Sequence, residues 1–333
     1  MCQDDNKVLG VVLRMYEHFT KGEAKMQKSA LFRTTLLAAG VVAALGSGIR
    51  PAEAAYIQTN LVSNIPGLAT LTVPLLVNPW GISRSPTSPF WTSNQGTNTS
   101  TLFAVTDSTN VSQVQVAPNG FVAIPTTPIG SPTPSGPQGP TGQVNNTNTA
   151  SFQLTPGDSS TSSRFIFANL NGTISGWAGG AASTPKVTTP GAVYTGLAIN
   201  TAGTRLYAAN SAGLGSINAF DSSFAPVSIP GGFTDPNLPV GYVPFNVEDI
   251  NGKIYVTYAP SGLSAQRGAT PGQGFVSVFD ENGAFLQRLI TGSELAAPWG
   301  LALAPSGFGE FGVRLMVPNN PELMRAAEII QAM

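Results

Sequence analysis

Five segments of the chain carry one short pattern: an aromatic or small polar residue, usually a glycine, then the start of an apolar run. They are NPWGIS around Gly81, GPTGQV around Gly142, YTGLAI around Gly196, PFNVED around Val247 and APWGLAL around Gly300. The pattern returns at roughly 50–60 residues, a period that belongs to stacked repeats. A unit of that size cannot bury its own apolar face, so the chain has to fold by packing successive copies against one another.

The same further runs follow inside each period. The second reads TLFAVT, RFIFANL, RLYAAN, KIYVTYA and RLMV; the third reads VSQVQV, TISGWA, SINAF and FVSVF; the fourth reads FVAIP, FAPVSI and AFLQRLI. These are short β-branched and aromatic runs separated by Gly, Asn, Asp and Pro, which is the pattern of strands joined by tight turns. Four antiparallel strands in about 50 residues predict a β-propeller blade. The expected fold is therefore all-β, a propeller with four complete blades and a partial fifth. With 37 Gly, 27 Pro and only 10% charged residues in 333, a helix bundle or coiled coil is excluded. The glycine column fits innermost strands that crowd around an axis, where a missing Cβ permits close backbone approach. The segment 124–149, rich in Pro, Gly, Ser and Thr, reads as an irregular insertion between the first two blades, because the repeat resumes inside it at Gly142.

The N-terminal region reads differently. From Met26, Lys28 and Arg33 form a short basic region, 36–45 is apolar, and Ala52-Glu53-Ala54 is a small-residue cleavage site. Residues 26–55 are thus expected to be a signal peptide, with Ala52 and Ala54 at the cleavage site. The apolar stretch is shorter than the roughly 20 residues that span a bilayer, and no later stretch approaches that length. The expected location is outside the cell, secreted or at the cell surface, with no transmembrane anchor in the mature chain. Residues 1–25 fit no export signal and read as a start-site extension ahead of Met26.

Counting residues then removes whole chemistries. The single Cys (Cys2) and the single His (His18) both precede the expected mature chain. Disulfides, Cys- or His-ligated metals, Ser-His-Asp triads and Cys-His dyads are excluded from it. From Tyr56 onward there are 9 Lys and Arg against 12 Asp and Glu, too sparse a charge to mark a partner such as nucleic acid or anionic lipid. Asp221 and Asp280 sit just after the third run of their repeats, in sequences that read as Asx-turn caps of hairpins better than as calcium loops.

A propeller is concave at its axis, so the residues just before the glycine column are the first ligand candidates: Trp80, Thr141, Thr195, Asn246 and Trp299. The two tryptophans could stack on a sugar or other flat ligand, with Asn78 and Asn246 supplying hydrogen bonds; the competing reading packs both indoles between blades. Glu248 and Asp249 are the adjacent carboxylates after an inner strand start. Glu248 with Asn246 could hold a calcium ion in a lactonase-like way, against the reading of solvated strand-end charge. The expected function is a non-catalytic module that binds an extracellular carbohydrate or protein, with no cofactor. The alternatives are a metal-assisted hydrolase and a structural component of an extracellular matrix.

The blocks YIQTNLVSNIPG, LVNPWGIS, RFIFANLNGTISGW, DPNLPVGYVPFNVEDINGKIYVTYA, GFVSVFDENG and LAAPWGLALAPSGFGEFG resemble the hypothetical exported propeller proteins of bacteria with PEP-CTERM protein sorting. The resemblance covers 56–312 and implies an NHL-like propeller, six-bladed in the intact family, of unestablished activity. After Gly312 the family pattern would continue with further strands and a sorting tail, whereas this chain reads VRLMVPNNPELMRAAEIIQAM. Residues 313–333 are therefore expected to be a divergent tail, helical from Pro321 with Leu323, Ala327 and Ile330 on one stripe, after an apparent C-terminal truncation. YIQTNLVS (56–63) is expected to close the ring by pairing with the last blade; with that blade incomplete, exposed edges predict low solubility or self-association.

Overall fold

The computed structural model describes residues 59–116, 118–130, 138–292 and 294–319. The leader read at 26–55 with Ala52 and Ala54, the extension 1–25, the centre of the 124–149 insertion and the stripe on Leu323, Ala327 and Ile330 lie outside the described residues.

Two short strands come first, β1 (Val62–Ser63) and β2 (Leu71–Thr72), paired parallel. Four antiparallel sheets follow in chain order, each a meander in which consecutive strands are neighbours. The first holds β3 (Pro79–Ser83), β4 (Phe90–Asn94), β5 (Thr99–Val105) and β6 (Val111–Val114), with β7 (Val122–Ala123) also on β5. The second holds β8 (Gly142–Asn145), β9 (Phe165–Ala168), β10 (Thr173–Trp177) and β11 (Thr184–Thr188). The third holds β12 (Tyr194–Ile199), β13 (Arg205–Asn210), β14 (Ser216–Asp221) and β15 (Pro226–Val227). The fourth holds β16 (Tyr242–Ile250), β17 (Lys253–Pro260), β18 (Phe275–Asp280) and β19 (Phe285–Thr291), with the single turn α1 (Leu263–Arg267) between β17 and β18. A two-stranded sheet of β20 (Ala302–Leu303) and β21 (Leu315–Met316) begins a fifth unit. The strand at Leu315–Met316 extends the sheet structure past Gly312.

The first strands of the four sheets pack in series, β3 on β8, β8 on β12 and β12 on β16. The glycine column makes this possible. Gly81 N–H donates to Thr141 O at 2.8 Å, and a Cβ on Gly81 would lie 2.6 Å from that oxygen. A Cβ on Gly142 would run into the backbone of Leu197, and one on Gly196 into the Asn246 side chain.

Away from these strands the sheets pack face to face through aromatic cores. Between the first and second sheets Trp91 stacks on Phe165 with centroids 4.0 Å apart, beside Trp177. Between the second and third, Phe152 meets Phe224 edge-on at 5.1 Å; between the third and fourth, Phe233 bridges Tyr207 and Phe279 at 5.5 Å each. Truncating one such ring to Ala costs about 3–5 kcal/mol. The expected hairpin caps are in place. Asp221 Oδ1 accepts from the N–H groups of Ser223 and Ala225, and Asp280 Oδ1 from those of Asn282 and Ala284.

Two expectations are corrected. In the first sheet the second strand is Phe90–Asn94, so TLFAVT is third and VSQVQV fourth. FWTSN ends in small polar residues that read as loop, yet Thr92, Ser93 and Asn94 are fully buried. Tertiary hydrogen bonds satisfy them: Thr92 and Thr101 hydroxyls lie 2.9 Å apart, Asn94 Nδ2 donates to Thr101 Oγ1, and Ser93 Oγ donates to Gln143 Oε1 at 2.8 Å. The second correction concerns the closing strand. Val62–Ser63 pairs with Leu71–Thr72, and Leu61, Val62, Val73 and Leu76 pack on Phe103 of the first sheet, because that face offers them a local apolar partner.

Candidate functional site

The ends of the first strands converge on a cavity of about 700 Å³. Ile82, Ser83 and Arg84 reach it from β3, Gln143, Val144 and Asn145 from β8, Ile199 and Asn200 from β12, and Glu248 and Asp249 from β16. In the fourth sheet the column position falls on Asn246 and not, as the sequence suggested, on Val247: like Gly196 on Ala209, Asn246 pairs with Thr257 just after the strand's bulge. Arg84, Asn145, Ile199 and Asp249 occupy the third position past Gly81, Gly142, Gly196 and Asn246, so the repeat that brings the strands together also sets the cavity wall.

Most polar groups of the wall are committed within the protein. Gln143 donates to Ser83 Oγ at 3.1 Å and accepts from Ser93. Asn145 donates to Arg164 O at 2.9 Å. Asn200 Oδ1 accepts from the N–H groups of Thr204 and Arg205, and its Nδ2 donates to Glu281 Oε2 at 3.1 Å. Asp249 Oδ1 accepts from Gly252 N–H at 2.9 Å and from Thr201 Oγ1 at 3.4 Å, whereas its Oδ2 is buried without a hydrogen-bond partner.

Glu248 differs from its neighbours. Among the described residues its carboxyl accepts no hydrogen bond, and desolvation followed by the charge of Asp249 pushes its pKa up to about 8. Asp249 is also raised, chiefly by desolvation, with the Gly252 N–H opposing and the Glu281 charge adding. Arg84 makes no ion pair among the described residues and lies over the Phe90 ring at 5.2 Å.

The residues before the glycine column form a separate cluster. Trp80 meets Trp299 edge-on at 5.7 Å and Phe245 at 6.1 Å. Trp299 Nε1 donates to Thr195 O at 2.7 Å, and Asn246 Nδ2 donates to Trp299 O at 2.8 Å. Thr141 Oγ1 donates to Tyr194 O at 2.7 Å. The structure thus brings Trp80, Asn246 and Trp299 together, with both indoles part-exposed and in contact with each other. Asn78, at φ 47°, bonds Gln95 Oε1 in a turn. Glu248 stands on the cavity while the Asn246 amide is held by Trp299 O, and among the described residues no group of three or more His, Cys, Asp or Glu side chains is placed to hold a metal ion. Arg84, Asn145, Asn200 and Thr201 escaped the sequence reading, although counting three or four positions past each glycine would have found the first three.

Consecutive four-stranded antiparallel meanders whose first strands pack side by side around a shared cavity define a β-propeller. No family model matches the sequence. Among curated proteins the chain is similar to three uncharacterised proteins of Acanthamoeba polyphaga mimivirus. R648 is 28% identical over 82% of this chain and 66% of its own length; R640 is 27% identical over 52% and 34%; L690 is 33% identical over 23% and 21%. The chain therefore spans less than two thirds of the length of each of these relatives. Among solved structures it is similar to a gluconolactonase, XC5397 from Xanthomonas campestris, with a TM-score of 0.35, 21% identity and coverage of 48% of this chain and 52% of that one. Virginiamycin B lyase from Staphylococcus aureus gives 0.36, 15%, 67% and 59%.

Proposed function

We propose that the protein is an exported β-propeller that acts as a binding module for a small extracellular molecule, held in the cavity at the ends of β3, β8, β12 and β16, and that it belongs with the PEP-CTERM-associated propellers its sequence blocks resemble. The observation that carries the binding reading is the cavity itself: about 700 Å³, in the size range of ligand sites, lined by amides and hydroxyls from three sheets and by an unpartnered carboxyl on the fourth. A wall whose amides are already hydrogen-bonded within the protein is pre-organised, which reduces the ordering cost of binding. Export is supported by the basic, apolar and small-residue order of 26–55.

A thermal-shift screen of a polar small-molecule library tests the binding reading. Ligands should raise the melting temperature of the wild-type protein and fail to do so for Thr147→Trp, which fills the cavity from an exposed position. A library with no hit sensitive to that substitution overturns the reading. For export, 26–55 fused to a periplasmic reporter should be cleaved close to Ala54; retention of the uncleaved fusion in the cytoplasm counts against it.

A further inference from the structure

We propose that the ligand of this cavity carries a primary ammonium group, received by Glu248. The inference rests on the binding reading above and names the chemical class that the site takes.

The argument begins with what the wall leaves unanswered. The amides of Gln143, Asn145 and Asn200 are already paired, and the idle donors, Arg84 among them, lie away from β16. On the β16 side the idle groups are acceptors. Glu248 opens on the cavity with no hydrogen bond, and behind it the Oδ2 of Asp249 is buried and unpartnered. A carboxylate oxygen buried without a donor, as Asp249 Oδ2 is, is costly, and a native fold keeps such a group where something else completes it. The groups facing it sharpen the demand. Asp249 lies next along β16, and Glu281 at the β18–β19 turn is near enough to raise Asp249 further. The basic groups nearby are directed elsewhere, Arg205 to the carbonyl of Glu281 and Arg84 to the Phe90 ring.

Three candidates could relieve Glu248. A hydroxyl brings one donor and no charge. A divalent cation asks for six to eight oxygen ligands, and the described residues place no cluster of three carboxylates to begin such a shell. An ammonium group brings three donors and the charge that lets Glu248 and Asp249 both ionise. It therefore fits both the missing donor and the unfavourable carboxyl pair. Arg84, at the same cavity from β3, allows the ligand to bear a carboxylate as well.

Glucosamine, glucose, N-acetylglucosamine and calcium chloride, titrated separately by calorimetry at pH 7, isolate the ammonium on one ring. Glucosamine should bind at least tenfold more tightly than glucose or N-acetylglucosamine, and Glu248→Gln should remove that preference. Repeating the titration in buffers of different ionisation enthalpy should show release of a proton on binding, as Glu248 ionises against the ligand; a purely structural role for Glu248 would release none. Thr147→Trp should abolish the heat in a protein whose Glu248 is intact, which keeps the test decisive if Glu248→Gln folds poorly. Equal binding of glucose and glucosamine would overturn the ammonium while leaving the cavity a binding site. Calcium bound through Glu248, or no heat from any of the probes, would overturn it as well, and the library screen then decides separately whether the cavity binds anything.

Discussion

Trp299 donates its indole N–H to the carbonyl of Thr195 at 2.7 Å, joining the first residues of the fifth repeat to the first strand of the third. Asn246 completes the chain of contacts by donating to the main-chain carbonyl of Trp299, so three repeats meet at one tryptophan. Trp299→Phe keeps a ring against Trp80 but leaves the Thr195 carbonyl without this donor. The expected loss is about 1 kcal/mol of unfolding free energy. Trp299→Ala removes the ring as well and should lose about 3–5 kcal/mol. Urea titration followed by Trp fluorescence measures both; equal losses would mean that the hydrogen bond, not the ring, dominates.

The glycine column is testable by adding one methyl group. At Gly142 a Cβ would collide with the backbone of Leu197, which cannot swing aside, whereas at Gly307 no atom lies within 4 Å. Gly142→Ala should destabilise the protein by about 1–3 kcal/mol, as over-packing does, and Gly307→Ala should leave the midpoint near that of the wild type. Similar midpoints for the two variants would contradict the close packing of β8 on β12.

Glu248 sets a pH dependence whose sign is fixed by its upward shift. The folded protein holds this proton up to about pH 8, whereas the unfolded chain releases it near the ordinary 4.5. Between those values the folded state binds more protons, so stability is fully present below pH 4.5 and falls as the pH rises towards 8. The slope is at most about 1.4 kcal/mol per pH unit for one group. Glu248→Gln should flatten the melting temperature across this window, read by calorimetry from pH 5 to 8.5. An unchanged slope in the variant would locate the dependence elsewhere.

Asp235 ties the loop before β16 to the outer strand of the fourth sheet. Its Oδ2 accepts from Ser277 Oγ at 2.6 Å and from Arg288 Nε at 2.8 Å, and the Arg288 guanidinium also lies 5.0 Å from the Phe275 ring centre. Desolvation opposes ionisation, but the bonds from Ser277, the Asn237 N–H and Arg288 outweigh it and hold the pKa below its ordinary value. Asp235→Ala should cost about 3–5 kcal/mol, because Arg288 is left part-buried without its carboxylate. Adding Arg288→Met should recover much of that loss in chemical denaturation. A double variant no more stable than the single one would show that the anionic anchor matters for more than its partner's charge.

The repeat was legible in the sequence wherever a strand declares itself by composition. RLYAAN, SINAF, KIYVTYA and FVSVF are strands in the expected order, since short β-branched and aromatic runs bounded by turn residues suit extended chain, and the strands of RLYAAN and FVSVF are buried on both faces. Phe90–Asn94 was illegible because its burial is polar: Thr92 and Asn94 find their partners in Thr101, and Ser93 finds Gln143 from the next sheet. The cavity was legible only in part. Glu248 stood out as one of two adjacent carboxylates, but Arg84, Asn145, Asn200 and Thr201 are ordinary polar residues until four strand ends are set side by side.

Local sequence by itself determined the blades of this protein, their order and the glycine positions at which backbones meet, because strand patterning, turn chemistry and the absence of a Cβ act within a few residues. Only the tertiary structure decided that Trp80 and Trp299 lean on each other, that Asn246 holds a tryptophan carbonyl and that Glu248 faces open space without a donor. Those outcomes depend on which groups from distant repeats satisfy one another first, and no local property of the chain encodes that competition.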